Sequence, residues 1–347
     1  MFRRRGVKKL MGKNKKLLEV NNLEIGFNVD KEILNVIDNI SFSINKGEVV
    51  GLVGESGCGK SITSLSVMKL LPRNAIIPRG EILFDNKDLL KLKNEDMIET
   101  RGNDIAMIFQ EPMTSLNPVY SVGEQISEML LLHSKISKKE ALKVALEKLK
   151  LVSISSPEKV LNQYPHELSG GMRQRVMIAM AMACDPKLLI ADEPTTALDV
   201  TIQAQILDLI RKLKDDTNAS ILLITHDLGV VAEMCDHVIV MYAGRIVEEA
   251  DVESLFANPQ HPYTKGLLKS LPALNEMKER LYNIEGTVPS PQDFPKGCRF
   301  APRCENANEK CYEEVPGFIK ISDTHKVSCL EFTFKKEIIN GKNIRSK

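Results

Sequence analysis

The sequence predicts an α/β fold: a doubly wound core with a strand-rich N-terminal part, a helical insert and a loop-rich C-terminal extension. Three observations carry that expectation. Nearly continuous apolar runs at residues 48–53, 188–191 and 221–225 have the character of parallel strands buried on both faces. Helical patterns follow the first run at 60–71 and separate the other two at 201–216. Beyond Asn258 the texture changes, and Pro259, Pro262, Pro272, Pro289, Pro291, Pro295, Pro302 and Pro316 break the chain into short pieces.

In chain order, residues 1–16 come first as a basic tail with eight Lys or Arg and no acid. The remaining 331 residues carry 39 basic against 46 acidic side chains, a net of −7. A body of that sign is a poor polyanion binder, so no nucleic-acid partner is expected. The tail reads as a solvated segment or one that grazes anionic lipid, and Met11 is an alternative start. Strands are expected at 17–25 and 39–44, then the strand–loop–helix unit of 48–71. From Glu111 to about Gln163 the pattern turns helical: Ser137 and Glu140 form a capping box, and Leu142, Ala145, Leu146 and Leu149 share a face. In the helix 201–216, Ile202, Ile206, Leu209 and Leu213 form one stripe. The division expected is 1–16 tail, 17–257 core domain with its insert at about 111–170, and 258–347 extension, one nucleotide-type core and no internal repeat.

The composition, 43% hydrophobic and 27% charged, excludes collagen-like, low-complexity and disordered chains. The longest apolar run, residues 176–184, is far short of the roughly 18–20 residues that span a bilayer. No secretory signal opens the chain, so a protein that does not cross the membrane is expected. Seven cysteines without an export signal argue against a disulfide framework.

Residues 54–61 read GESGCGKS and fit G-x-x-x-x-G-K-[ST]. In this loop of Gly54, Glu55, Ser56, Gly57, Cys58, Gly59, Lys60 and Ser61, with Ile62 after it, the glycines let backbone N–H groups turn inward on phosphate oxygens. Lys60 reaches the β and γ phosphates, and the Ser61 hydroxyl ligates Mg²⁺ at a helix start whose dipole favours an anion. The run LLIADE at 188–193 ends a buried strand in Asp192, beside the Mg²⁺, and Glu193, placed to polarise an attacking water. The alternative for such paired acids is a solvated turn. LSGGM at 168–172 sets Ser169, Gly170 and Gly171 at a helix N-terminus, a second anion cradle or a plain loop. One nucleotide does not need two cradles in one chain, so the second suits an ATP held by another subunit.

With these motifs in this order, residues 17–256 resemble the ATP-binding cassette superfamily, which implies an ABC-type P-loop NTPase core. GESGCGKS resembles the Walker A loop, LLIADE Walker B, LSGGM the signature, and Ala197-Leu198-Asp199 the D-loop. The resemblance implies that Gln110 is the Q-loop glutamine that touches Mg²⁺ and senses a transmembrane partner, and that His226 in ITHDL is the switch histidine contacting the γ-phosphate. Met172 departs from the usual Gln, Thr196 from Ser, and Phe27 stands where an adenine-stacking Tyr is common. Stacking needs only an aromatic face; the other reading of Phe27 is a strand core residue.

HPYTKGLLKSLP at 261–272, IEGTVPSP at 284–291 and GCRFAPRC at 297–304 resemble the C-terminal extension of oligopeptide/dipeptide/nickel permease ATP-binding subunits. That resemblance implies an ATPase that powers import of oligopeptides or dipeptides. Its partners would be a second ATPase subunit in a heterodimer, two transmembrane permeases and an extracytoplasmic peptide-binding protein, and it would sit on the cytoplasmic face of the membrane. Two cassettes would pack head to tail, with each ATP between the Walker loop of one and the signature and D-loop of the other. A soluble ABC ATPase of DNA repair or ribosome function is the rival reading.

In the extension, Cys298, Cys304, Cys311 and Cys329 run C-x5-C-x6-C-x17-C, which fits neither common zinc pairs nor the tight ferredoxin run. Some relatives implied by the resemblance carry an iron-sulfur cluster here. A [4Fe-4S] centre is therefore the first expectation, with zinc and free thiols as alternatives.

Overall fold

A computed structural model describes residues 15–30, 32–111, 115–196, 198–271 and 282–332. The basic tail up to residue 14, Ala197 of the D-loop motif and Pro272 lie outside the described residues. The described residues build two sheets. A four-stranded antiparallel sheet, ordered β2-β1-β4-β5, is made by β1 (Lys16–Val29), β2 (Glu32–Asn45), β4 (Ala75–Phe84) and β5 (Lys87–Asp88).

The larger sheet is ordered β11-β12-β10-β9-β3-β8-β7-β6. Its parallel part comprises β6 (Ile105–Ile108), β7 (Leu188–Asp192), β8 (Ser220–Thr225), β3 (Val49–Val53) and β9 (His237–Tyr242). Residue parity explains why these strands read as unbroken apolar runs. Val49, Val53, Leu189, Ala191, Ile221 and Leu223 enter one core, and Val50, Leu52, Leu188, Ile190, Leu222 and Ile224 the other. The second core is closed by the antiparallel sheet and by α1 (Lys60–Val67) and α2 (Asn94–Thr100), through Val67 and Met97. The first is closed by α6 (Gly170–Ala181), α7 (Val200–Thr217) and α8 (Leu228–Met234).

The helical insert contains α3 (Val122–His133), α4 (Lys138–Leu151) and the short α5 (Pro157–Val160). Both longer helices start with a capping box, Ser121 with Glu124 and Ser137 with Glu140, which satisfies two backbone donors reciprocally. The buried stripe of α4 is Ala141, Ala145 and Leu149. Leu142 and Leu146 of the expected face are only half-buried, so the face is rotated by about one position.

The extension is less separate than its prolines suggest. After β10 (Arg245–Asp251), α9 (Val252–Ala257) and α10 (Pro262–Lys269), a loop-rich stretch with α11 (Glu309–Glu313) leads to β11 (Phe318–Lys320) and β12 (Lys326–Ser328). The strand β12 pairs antiparallel with β10 and continues the core sheet. Ile284 and Phe300 join the core cluster, because a short loop-rich segment buries too little apolar area to stand by itself. No helix among the described residues is long and apolar enough to cross a membrane.

Candidate nucleotide site

The strand β3 ends at Val53 and the loop 54–59 delivers the chain to α1, whose N-cap is Gly59 with φ 103°. Glycine is required twice. A Cβ on Gly54 would lie 2.2 Å from the Met241 carbonyl oxygen, and one on Gly59, already left-handed, 2.4 Å from Ile37 Cδ1. Lys60 is buried, and its Nζ donates to the carbonyls of Gly54 (2.8 Å) and Glu55 (3.1 Å), folding the loop around the amino group. Cys58 is fully buried under the loop, and burial raises its thiol pKa.

Parallel pairing of β3 with β8 and of β8 with β7 brings the end of β7 beside this loop. The Ser61 hydroxyl donates to Asp192 Oδ1 at 3.2 Å. Asp192 is buried, and desolvation raises its carboxyl pKa against the hydrogen bond from Ser61. A hydroxyl and a buried carboxylate side by side are hard oxygen donors of the kind Mg²⁺ takes.

Glu193 follows with φ 45°. Three groups converge on its carboxylate: Gln110 Nε2 at 3.1 Å, Thr196 Oγ1 at 2.9 Å and His226 Nδ1 at 3.2 Å. Burial is the largest single influence and pushes this carboxyl up. The bonds from Thr196 and His226, with the charges of His226 and Lys60, together outweigh it and hold the group below its ordinary value. An ionised carboxylate with one oxygen held on either side is positioned to accept a proton from water.

The second cradle lies elsewhere. Ser169 caps α6, its hydroxyl accepting from Met172 N at 3.4 Å, and a Cβ on Gly170 would meet open space. Asp199 caps α7 by accepting from Ile202 N at 2.9 Å. No hydrogen bond among the described residues joins Ser169, Gly170 or Gly171 to residues 54–61. Phe27, on β1 opposite Leu34 and Ala75, is half-buried against the second core. Gln174 was not singled out by sequence reasoning. It is buried on α6 and donates to the Pro194 carbonyl at 2.6 Å, tying the signature helix to the turn that carries Glu193. The one signal in the sequence that could have found it is a Gln on the helix face shared with Met177, Ile178 and Ala181.

In the extension, Cys298, Cys304, Cys311 and Cys329 line one cavity of about 260 Å³ beside Phe300 and His261. Burial raises the Cys298 and Cys304 thiols and pushes Cys329 up to about 11. Among the described residues, no group of three or more His, Cys, Asp or Glu converges to hold a metal ion. The metal expectation is thus not met by a preformed ligand set: the sulfurs share a wall without closing on one point. A tetrahedral zinc site would need sulfurs about 3.8 Å apart around one ion.

The ABC transporter family matches residues 37–196, and the family described as oligopeptide/dipeptide transporter, C-terminal region, matches 247–311. The chain is 54% identical to the oligopeptide transport ATP-binding protein AppD of Bacillus subtilis, over 92% of this chain and 98% of that one. It is 52% identical to the dipeptide transport ATP-binding protein DppD of the same organism, over 90% and 94%. Among solved structures, the dimeric post-hydrolysis state of the ATP-binding cassette MJ0796 bound to ADP and Pi is similar at TM-score 0.62 and 28% identity, covering 68% of this chain and 99% of that one. The structure of cbiO1 from Clostridium perfringens follows at 0.59 and 29%, covering 70% and 92%.

Proposed function

The chain belongs to the ABC transporter family, and from that membership we propose that it is the ATP-binding and hydrolysing subunit that powers import of oligopeptides or dipeptides. Its enzymatic activity is ATP hydrolysis coupled to transport. The observation that carries the chemistry is the convergence of Gln110, Thr196 and His226 on Glu193, next to the Ser61–Asp192 pair.

That placement supports the following reading of the roles. The backbone N–H groups of the loop 54–61 bind the phosphates, and Lys60 exchanges its carbonyl partners for phosphate oxygens. Ser61, Asp192 and Gln110 would hold Mg²⁺, which supplies charge neutralisation on the β and γ phosphates. Glu193 takes the proton of the attacking water, and Gln110 and His226 fix its orientation. Phe27 offers the adenine an aromatic face. Ser169, Gly170 and Asp199 are exposed and, with the half-buried Gly171, bind the ATP of a second subunit, in a head-to-tail pair in which closure needs ATP and reopening needs its cleavage. Charge argues against the rival reading in DNA repair or on ribosomes, since the body is acidic.

The finer partners are a second ATPase subunit in a heterodimer, two permeases on whose cytoplasmic face the helical insert presses, and an extracytoplasmic peptide-binding protein, with this chain peripheral on the cytoplasmic face. For an iron-sulfur centre the one favourable feature is that the four cysteines line a common cavity, although they do not converge there as a ligand set; visible absorption with iron and sulfide analysis of anaerobically prepared protein tests it, and colourless, iron-free protein refutes it. Reconstitution of the complex in vesicles tests the function. ATP-dependent accumulation of a labelled peptide is expected, and ATP hydrolysis without uptake of any di- or oligopeptide would refute it.

A further inference from the structure

The nucleotide site as described draws only on the core, yet two side chains of the extension reach its loop. Tyr263, in the first turn of α10, accepts a hydrogen bond from the backbone N–H of Glu55 at 2.8 Å. Arg303 directs Nη1 at both Glu55 carboxylate oxygens, 3.1 and 3.0 Å away, and its side chain is 6% exposed. Glu55 is the second residue of the phosphate loop, and its carbonyl accepts from Lys60. The same residue is thus held by Lys60 from within the loop and by the extension from behind.

Both extension groups are themselves fixed. The rings of Tyr242, Tyr263 and Phe300 pack against one another with centroids 4.7 to 5.4 Å apart. Arg303 spends its other donors on the carbonyls of Glu285 (2.9 Å) and Ile284 (3.2 Å). The buried Glu248 accepts from the backbone N–H groups of Gln260 and His261, which sets the start of α10.

We infer that Tyr263 and Arg303 are positioning residues for ATP: they hold Glu55, and with it the first turn of the phosphate loop, in its binding geometry. Two physical effects act together. A loop with three glycines in eight residues loses much conformational freedom on ordering, and an anchor at its N-terminal end makes that loss smaller at the moment of binding. An acid inside a phosphate-binding loop also repels the triphosphate, and the paired guanidinium of Arg303 cancels that charge. The inference rests on the reading that residues 54–61 hold the phosphates.

The test is steady-state ATPase kinetics and binding of a fluorescent ATP analogue by the assembled transporter. Tyr263→Phe keeps the ring packing and removes one acceptor, so KM and Kd for ATP rise about 3- to 10-fold with kcat within about twofold of wild type. Arg303→Ala raises them further, and Glu55→Gln in the same chain restores most of that loss because the uncompensated charge is gone. A Tyr263→Phe transporter with wild-type KM overturns the inference, whether or not Arg303→Ala folds. So does an Arg303→Ala defect that Glu55→Gln leaves in full, which would mark a packing role. Lys60→Ala separates the two levels: if it abolishes ATP binding while Tyr263→Phe and Arg303→Ala change nothing, this inference alone fails. If Lys60→Ala still binds ATP normally, the reading of the loop fails and takes the inference with it.

Discussion

His226 Nδ1 stands 3.2 Å from Glu193 Oε1, and the imidazole is 63% exposed while the carboxylate is 13% exposed. The carboxylate proposed as the base is thus largely sheltered and is held by a side chain from the next strand's end. His226→Ala removes the steering contact but no phosphate-loop group. The expected result is a fall in kcat of about 10²-fold with ATP Kd within about threefold of wild type, read from single-turnover hydrolysis and equilibrium binding.

The signature face is predicted to act only across subunits. A Cβ on Gly170 meets nothing within 4 Å, and an acid in the first turn of α6 suits the helix dipole. Gly170→Asp therefore leaves the melting temperature of the isolated chain and its own ATP binding unchanged. In the assembled transporter it sets a negative charge against the partner's ATP and lowers hydrolysis by at least about tenfold. Loss of ATP binding by the isolated variant would contradict this.

Asp38 joins the extension to the core. Its Oδ2 accepts from Arg245 at 2.8 and 2.6 Å and from Arg299 at 3.1 Å, and Arg299 is 6% exposed, also donating to the Ala243 carbonyl. Asp38→Ala leaves two guanidinium groups without their shared anion. We expect a loss of about 2 to 4 kcal/mol in chemical denaturation, whereas an effect near zero would show that the cluster contributes nothing net.

His261 sets a pH dependence. Burial, aided by Lys265, lowers its pKa from 6.5 to about 3 in the folded chain. Between those values the unfolded chain binds the proton and the folded chain does not, so this residue's contribution falls as pH drops through that window. His261→Asn retains a capping acceptor for α10. The variant's melting temperature should decline less steeply with acidification than wild type over the upper part of the window; parallel slopes would contradict the assignment.

The site was more legible in the sequence than the fold around it. Residues 54–61 and residues 192–193 are each contiguous and their chemistry demands particular side chains at fixed spacing, so each could be read locally even though the Ser61–Asp192 hydrogen bond spans 131 residues. The strand β4 carried a weaker signal: it includes Pro78 and Gly80, with Gly80 at φ 112°, which blurs alternation. The strands of the extension were not legible, because the pairing of β12 with β10 depends on register that no local pattern encodes. Tyr263 and Arg303 were invisible for the same reason, lying 208 and 248 residues from Glu55.

The most direct measurement is the fate of labelled ATP on the Glu193→Gln transporter. The amide keeps the size and one acceptor of the carboxylate but cannot take a proton from water. The account predicts ATP bound at wild-type affinity and recovered uncleaved, with hydrolysis slowed by about 10²- to 10⁴-fold. Normal turnover by that variant, or failure of the wild-type protein to retain ATP with magnesium, would contradict it.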